Sequence, residues 1–247
     1  MSEGVHYLDA AAPEGMRIYA IGDVHGRLDC LKIMHERIAE DLARAQPPDW
    51  RIIHLGDYVD RGPDARGVIE FLIETTGRDG RVTALLGNHD VGLLEFLESP
   101  RPYGLLFPDN GGETTSRSYG VEADWRDPRS LALNFPAFRA AVPRAHVDFL
   151  EGLPRFCSHG DFFFCHAGIR PGVPLAAQDP FDLVWIRGPF LDHPGLHPKV
   201  IVHGHTPYYE PQVLPNRVNV DTMAFHTGRL TAMVVEGKEK WFLTAQA

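Results

Sequence analysis

Three times within the first ninety residues an apolar run stops at a glycine and continues into side chains that can bind a cation. GDVHG at 22–26 presents Asp23 and His25. GDYVDRG at 56–62 presents Asp57, Asp60 and Arg61, and GNHD at 87–90 presents Asn88, His89 and Asp90. Two later stretches add His166 in CHAG and His205 in HGHTP. A single Gly-Asp is an ordinary turn signal. Three such signals, each closing an apolar run, are a ligand set. Carboxylate, carboxamide and imidazole donors without a thiolate suit manganese, iron, cobalt or zinc better than calcium or magnesium alone. Two such ions need a shared carboxylate, and Asp57, lying between the other two loops, is placed to bridge.

Elements must bring these loops together. Residues 16–21, 51–55 and 81–86 read as buried strands. Between them, Leu28, Leu31, Met34, Ile38 and Leu42 recur at helical spacing, and a second helix is expected over 65–76. Strand–helix–strand–helix–strand is the pattern of a parallel sheet with right-handed crossovers. Ligands of such sheets gather beyond the carboxyl ends of the strands, where all five motifs belong. Residues 1–15 read as a loose arm. Residues 91–150 read as a mostly helical, lid-like insertion, opened by a short helix over 91–97 and containing NGG at 110–112 as a lid turn. Beyond Pro154 the period shifts toward two. A hairpin is expected over 155–158 and 162–166, a helix near 181–186, a strand over 199–203, and strand pairs near 212–220 and 229–244. Those strands predict a largely antiparallel second sheet packed on the first, within one domain spanning 1–247.

The motifs in this order resemble the metallophosphoesterase superfamily and, within it, the bacterial type of phosphoprotein (Ser/Thr) phosphatase. That resemblance implies a four-layer α/β/β/α sandwich of two mixed sheets flanked by helices, and two divalent metal ions, manganese first with iron or zinc as alternatives. It implies Asp23, His25 and Asp57 on one ion and Asp57, Asn88, His166 and His205 on the other, with a bridging hydroxide as nucleophile. Arg61 and Arg187 would clamp phosphate. His89 would protonate the leaving oxygen, supported by Asp60. Arg170, Asn110 and Tyr119 are weaker candidates for touching substrate, and Asp221 is read as a structural cap. Pro207 stands where many superfamily members have a further ligating His, as in the phosphoprotein phosphatase branch. The C-terminal NVDTMAFHTGRL lacks the Tyr motif of the eukaryotic branch, so no regulatory subunit is assigned.

The expected activity is hydrolysis of phosphoserine and phosphothreonine in proteins, with phosphotyrosine as a further substrate. A symmetric bis(5'-nucleosyl)-tetraphosphate hydrolase is the alternative. Asp60 favours the first, because those hydrolases carry a GDLVxRGP loop without that acid. A non-catalytic scaffold is a third reading, which the complete ligand set disfavours. A formal net charge of -9 argues against a general nucleic-acid binder. No run approaches the roughly 20 apolar residues of a membrane helix. The N-terminal residues lack a basic-then-apolar signal pattern, and the three cysteines form no framework, so cytoplasmic residence is expected. Cys30, Cys157 and Cys165 are read as small buried hydrophobes, Cys165 with some prospect of lying near the site.

Overall fold

The apolar runs that end in the first motif glycines become β1 (Met16–Ile21), β2 (Asp49–His54) and β3 (Val82–Ala84), paired in parallel in the order β1-β2-β3. The structure, a computed structural model, describes residues 4–247. The connections are α1 (Leu28–Ala45) and α2 (Ala65–Arg78), whose faces bury Leu31, Met34, Ile38, Val68, Ile69 and Leu72 against the sheet. Asp64 caps α2 by accepting the Gly67 amide. The next helix, α3 (Asn88–Glu98), starts at the motif residue Asn88 itself, three residues earlier than its apolar pattern suggests. Asp90 is the reason: its carboxylate reaches back to the Gly87 amide and closes the first turn.

Residues 106–151 form α4 (Leu106–Asp109), α5 (Gly112–Ser118), α6 (Pro128–Ala141) and α7 (Arg144–Glu151). They gather around Phe96 of α3, whose ring packs against Phe107, Trp125, Phe135 and Phe138 at centroid separations of 4.6 to 6.4 Å. The chain then forms β4 (Phe156–His159), β5 (Phe162–Cys165), α8 (Pro180–Trp185), α9 (Gly188–Leu191), β6 (Val200–His203), β7 (Gln212–Val213), β8 (Arg217–Asn219), α10 (Ala224–Thr227), β9 (Arg229–Glu236) and β10 (Glu239–Gln246).

Two mixed five-stranded sheets result, β10-β9-β1-β2-β3 and β4-β5-β6-β8-β7. The largely antiparallel second sheet expected from the sequence is therefore corrected twice. Its centre is parallel, β5 with β6 and β6 with β8, and only the edge strands β4 and β7 run antiparallel. The last two strands leave it altogether and join the first sheet through β1. Alternation explains both. Phe162 and Phe164 of β5 face Ile18, Ala20, Ile53 and Met233 in the layer between the sheets. Phe163 and Cys165 face Leu183, Ile186 and Phe190 on the outside. A strand covered on both faces carries a continuous apolar run, and so reveals neither its partner nor its direction. The layers are helix, sheet, sheet, helix, as expected.

Two other expectations change. From residue 4 onward the N-terminal segment is held down: Val5 bridges His197, the Tyr7 amide donates to the Pro215 carbonyl, and Ala10 and Ala12 are buried. Residues 1–3 of the expected loose arm lie outside the described residues. Cys165 points into the outer core, away from the motif loops. No helix among the described residues is long and apolar enough to cross a membrane.

Because Phe96 joins the helix bearing Asn88 and His89 to this aromatic cluster, Phe96→Ala is expected to cost about 3–5 kcal/mol, measured as a lowered urea midpoint at unchanged slope.

Candidate metal centre

The five motif loops meet where the carboxyl ends of β1, β2 and β3 face those of β5 and β6. Close backbone approach makes this possible. At Gly87 a Cβ would fall on the Asp57 amide and carboxylate, and at Gly204 on the Asp23 carboxylate. Only glycine lets these loops touch. Five non-glycine residues of the centre, His25, Asp57, Asp60, Arg61 and His205, hold positive φ between 44° and 68°. Of the two other non-glycine residues with positive φ among the described residues, Met223 lies beside the centre, bonded to Asp221, and Gln46 at the end of α1. Strain gathered in one place is characteristic of a functional site.

Hydrogen bonds fix the imidazoles. His166 Nδ1 donates to the Leu55 carbonyl at 3.0 Å and His25 Nδ1 to the Val59 carbonyl at 2.8 Å. Both Nε2 atoms are thereby left as lone-pair donors aimed inward. His166 Nε2 lies 3.3 Å from Asp57 Oδ1 and His25 Nε2 lies 3.5 Å from Asp57 Oδ2. Asn88 Oδ1 stands 2.8 Å from both His166 Nε2 and His205 Nδ1. Burial pushes the ring pKa of His25 and His166 down, and that of His205 down to about 2. Neutral imidazole lone pairs thus face a carboxylate and a carboxamide oxygen. That array repels itself until a cation lies within it, and its oxygen and nitrogen donors are those of a first-row divalent ion. The residues fit the implied metal pair.

Two compact groups of donors span this space: Asp57, His166 and His205 in one, His25, Asp57 and His89 in the other. Asp57 belongs to both, as bridging requires. Asp23 joins neither group. Its oxygens accept the His205 amide at 3.1 and 3.3 Å, and burial together with Asp221 and Asp57 raises its pKa. Asp221 is likewise raised to about 6 by burial, and it accepts the Met223 amide at 2.9 Å across a local turn, while α10 has no side-chain cap. Two facing buried carboxyls next to Asp57 add to the demand for a cation.

Beside the donors, His89 Nδ1 and Asp60 Oδ2 are 2.7 Å apart and both residues are buried. Burial lowers the His89 pKa, but the Asp57 and Asp60 carboxylates outweigh it and leave the ring raised. The Arg61 guanidinium reaches across the opening, 3.1 Å from His25 Nε2 and 3.1 Å from His89 Nε2. It lies 4.8 Å over the Phe225 ring, which holds it flat. Arg187 is exposed at the rim, where it donates to the His205 carbonyl at 3.2 Å.

The weaker substrate candidates are each engaged by other groups of the chain. Arg170 is engaged by Asp182 in a two-pronged ion pair at 2.6 and 2.8 Å. Asn110 donates to Leu106 at the end of α4, and Tyr119 is buried against His146. Each makes a local contact that spacing in the sequence does not reveal. The NGG turn packs on the Arg61 backbone, the Gly111 carbonyl facing its amide at 3.4 Å, and so is a seat for that loop. Four contributors went unassigned. Asp90 accepts the amides of Asp57, Tyr58 and Gly87 at 2.9 to 3.0 Å and so pins two loops together. Thr115 bonds Asp60, Phe225 seats Arg61, and Trp185 packs edge-on to His205 at 6.1 Å. Only Asp90 carried a signal, its place inside GNHD.

The chain is similar along most of its length to several known proteins. The chain is 27% identical over 241 residues to the asymmetrical bis(5'-nucleosyl)-tetraphosphatase PrpE of Bacillus thuringiensis, covering 88% of this chain and 90% of that one. It is 26% identical over 234 residues to serine/threonine-protein phosphatase 1 of Salmonella typhimurium, covering 91% and 94%. Among solved structures, a candidate diadenosine tetraphosphatase superposes with TM-score 0.65 at 19% identity, covering 96% and 98%. A cold-active protein-tyrosine phosphatase of a Shewanella species superposes with TM-score 0.55 at 17% identity, covering 97% and 84%. The sequence pattern of the calcineurin-like phosphoesterases matches residues 16–234, which include every donor described above. With that span matched and the donors gathered at the sheet ends, the chain belongs to the calcineurin-like phosphoesterase family.

Proposed function

We propose that this phosphoesterase hydrolyses phosphoserine and phosphothreonine in proteins, with phosphotyrosine as a further substrate. One observation carries the choice: the buried Asp60–His89 pair, 2.7 Å apart, facing the opening beside Arg61. A serine or threonine alkoxide is a poor leaving group and needs a proton as the P–O bond breaks. A nucleotide leaving from a phosphoanhydride needs one far less.

The chain's own residues divide the work. Asp57, Asn88, His166 and His205 would hold one divalent ion, and Asp23, His25 and Asp57 the other, with manganese the first choice. When bound, the pair would supply the Lewis acidity that makes a nucleophile of water near neutral pH. Arg61 presents two guanidinium nitrogens to phosphoryl oxygens, and Arg187 meets the same charge from the rim. Asp60 accepts the Nδ1 hydrogen of His89 and keeps Nε2 toward the leaving oxygen. The partner in this reading is a phosphoprotein in the cytoplasm, and neither nucleic acid, a membrane nor a regulatory subunit is called for.

A second reading, hydrolysis of bis(5'-nucleosyl) tetraphosphates, is favoured by the names of relatives such as PrpE and by one feature of the rim. Phe181 is 64% exposed and stacks on Trp185, which itself packs against His205. That pair offers a nucleobase a face next to the phosphate site.

His89→Asn is expected to lower kcat on a phosphoseryl peptide on the order of 10²–10⁴-fold with metal content unchanged, and to affect an aryl phosphate much less; equal losses on both would refute the acid role. Asp60→Asn removes a charge that raises the His89 pKa, so the alkaline limb of kcat/KM should move to lower pH. A limb that stays in place or moves upward contradicts the pairing. Phe181→Ala separates the two substrate readings: if only dinucleoside tetraphosphate turnover falls, and it is the faster reaction in the parent protein, the second reading replaces the first.

A further inference from the structure

The insertion between α3 and β4 reaches the Asp60–His89 pair through one side chain. Thr115 of α5 is fully buried. Its hydroxyl donates to Asp60 Oδ1 at 2.8 Å and accepts the Asp60 amide hydrogen at 2.8 Å. The other carboxylate oxygen, Oδ2, is the one bonded to His89. Thr115 therefore grips Asp60 at both backbone and carboxylate and leaves it a single orientation.

The grip falls where the loop most needs it. Asp60 and Arg61 both have φ of 68°, a conformation that side-chain-bearing residues adopt at a cost. Gly111, with φ of 96°, turns its carbonyl to the Arg61 amide, and a Cβ there would come within 2.7 Å of that nitrogen. The α4–α5 turn thus bears on Arg61 while α5 itself, through Thr115, bears on Asp60. A valine at 115 would have nearly the same shape but would leave the Asp60 amide and Oδ1 buried and unpaired.

We propose that Thr115 is a positioning residue for the acid pair, and that the helical insertion acts as part of the reaction machinery by setting the Asp60 carboxylate against His89. This rests on the reading of His89 as proton donor. The step itself is ordinary: as the P–O bond breaks, the Nε2 proton passes to the leaving oxygen, and the imidazole so neutralised keeps its Nδ1–H on Asp60. Thr115 exchanges no proton with substrate. It fixes the angle from which Asp60 holds the ring, and a misplacement of about 1 Å at such a group can cost on the order of 10²-fold.

The test compares Thr115→Val, Thr115→Ser and His89→Asn as full-length, manganese-loaded enzymes, on a phosphoseryl peptide and on an aryl phosphate whose leaving group needs no proton. Thr115→Val should lose 10-fold or more in kcat on the peptide, with KM and aryl phosphate turnover nearly unchanged. Thr115→Ser, which keeps the hydroxyl, should restore most of that loss. Independently of activity, the Nδ1–H proton of His89 in the metal-free protein, followed by NMR after 15N labelling of histidine, should shift and exchange faster in Thr115→Val but not in Thr115→Ser. The proposal is overturned if Thr115→Val leaves peptide turnover intact while His89→Asn abolishes it, or if both substrates suffer equally and serine gives no rescue. If His89→Asn itself spares the peptide reaction, the reading of His89 fails, and the NMR comparison still reports whether Thr115 orients the ring.

Discussion

A buried carboxylate at residue 57 shared among imidazoles is the constraint around which this molecule is arranged. His25 approaches one of its oxygens and His166 the other, and the His89 amide donates to it as well. An ionised group without solvent is costly unless partners surround it. Here those partners come from loops of both sheets. The sandwich can close over Asp57 only if the loops meet at contact distance, which is why glycine stands at Gly87 and Gly204 and why Asp57 and four neighbouring residues keep positive φ.

The same arrangement separates holding from reacting. Carbonyls of Leu55 and Val59 set the tautomers of His166 and His25, so these rings present lone pairs and remain neutral through burial. His89 differs because its ring nitrogen meets a carboxylate instead of a carbonyl, and its pKa moves upward. Three imidazoles in one small space thus receive two different chemistries from their second hydrogen bond. Asp90 performs a related task on the backbone, binding the amides of two loops with one carboxylate.

Beyond the Asp60–His89 pair, the rim adds side chains that a substrate would meet. Relatives with nearly full-length matches carry the names of a tetraphosphatase and of a protein phosphatase. What surrounds the opening is a separate set of side chains. In this chain that is Arg187 and the Phe181–Trp185 pair on one side, and on the other Phe225 and the helical insertion that touches Asp60 and Arg61.

The sequence by itself determined the parallel core of the first sheet, its helices and the donor loops, since local period and glycine punctuation encode these within a few residues. It also determined the donor types, and hence the class of cation. Tertiary structure alone decided how the doubly buried strands pair, because runs such as Phe162–Cys165 are apolar on both faces and name no neighbour. It decided that β9 and β10 join the first sheet, that residues 4–15 are docked, and that Arg170 pairs with Asp182 and Tyr119 with His146. It also brought Thr115 to Asp60 across 55 positions of chain. A hydroxyl in a polar stretch has no periodicity to betray such a contact, and only the packing of the insertion creates it.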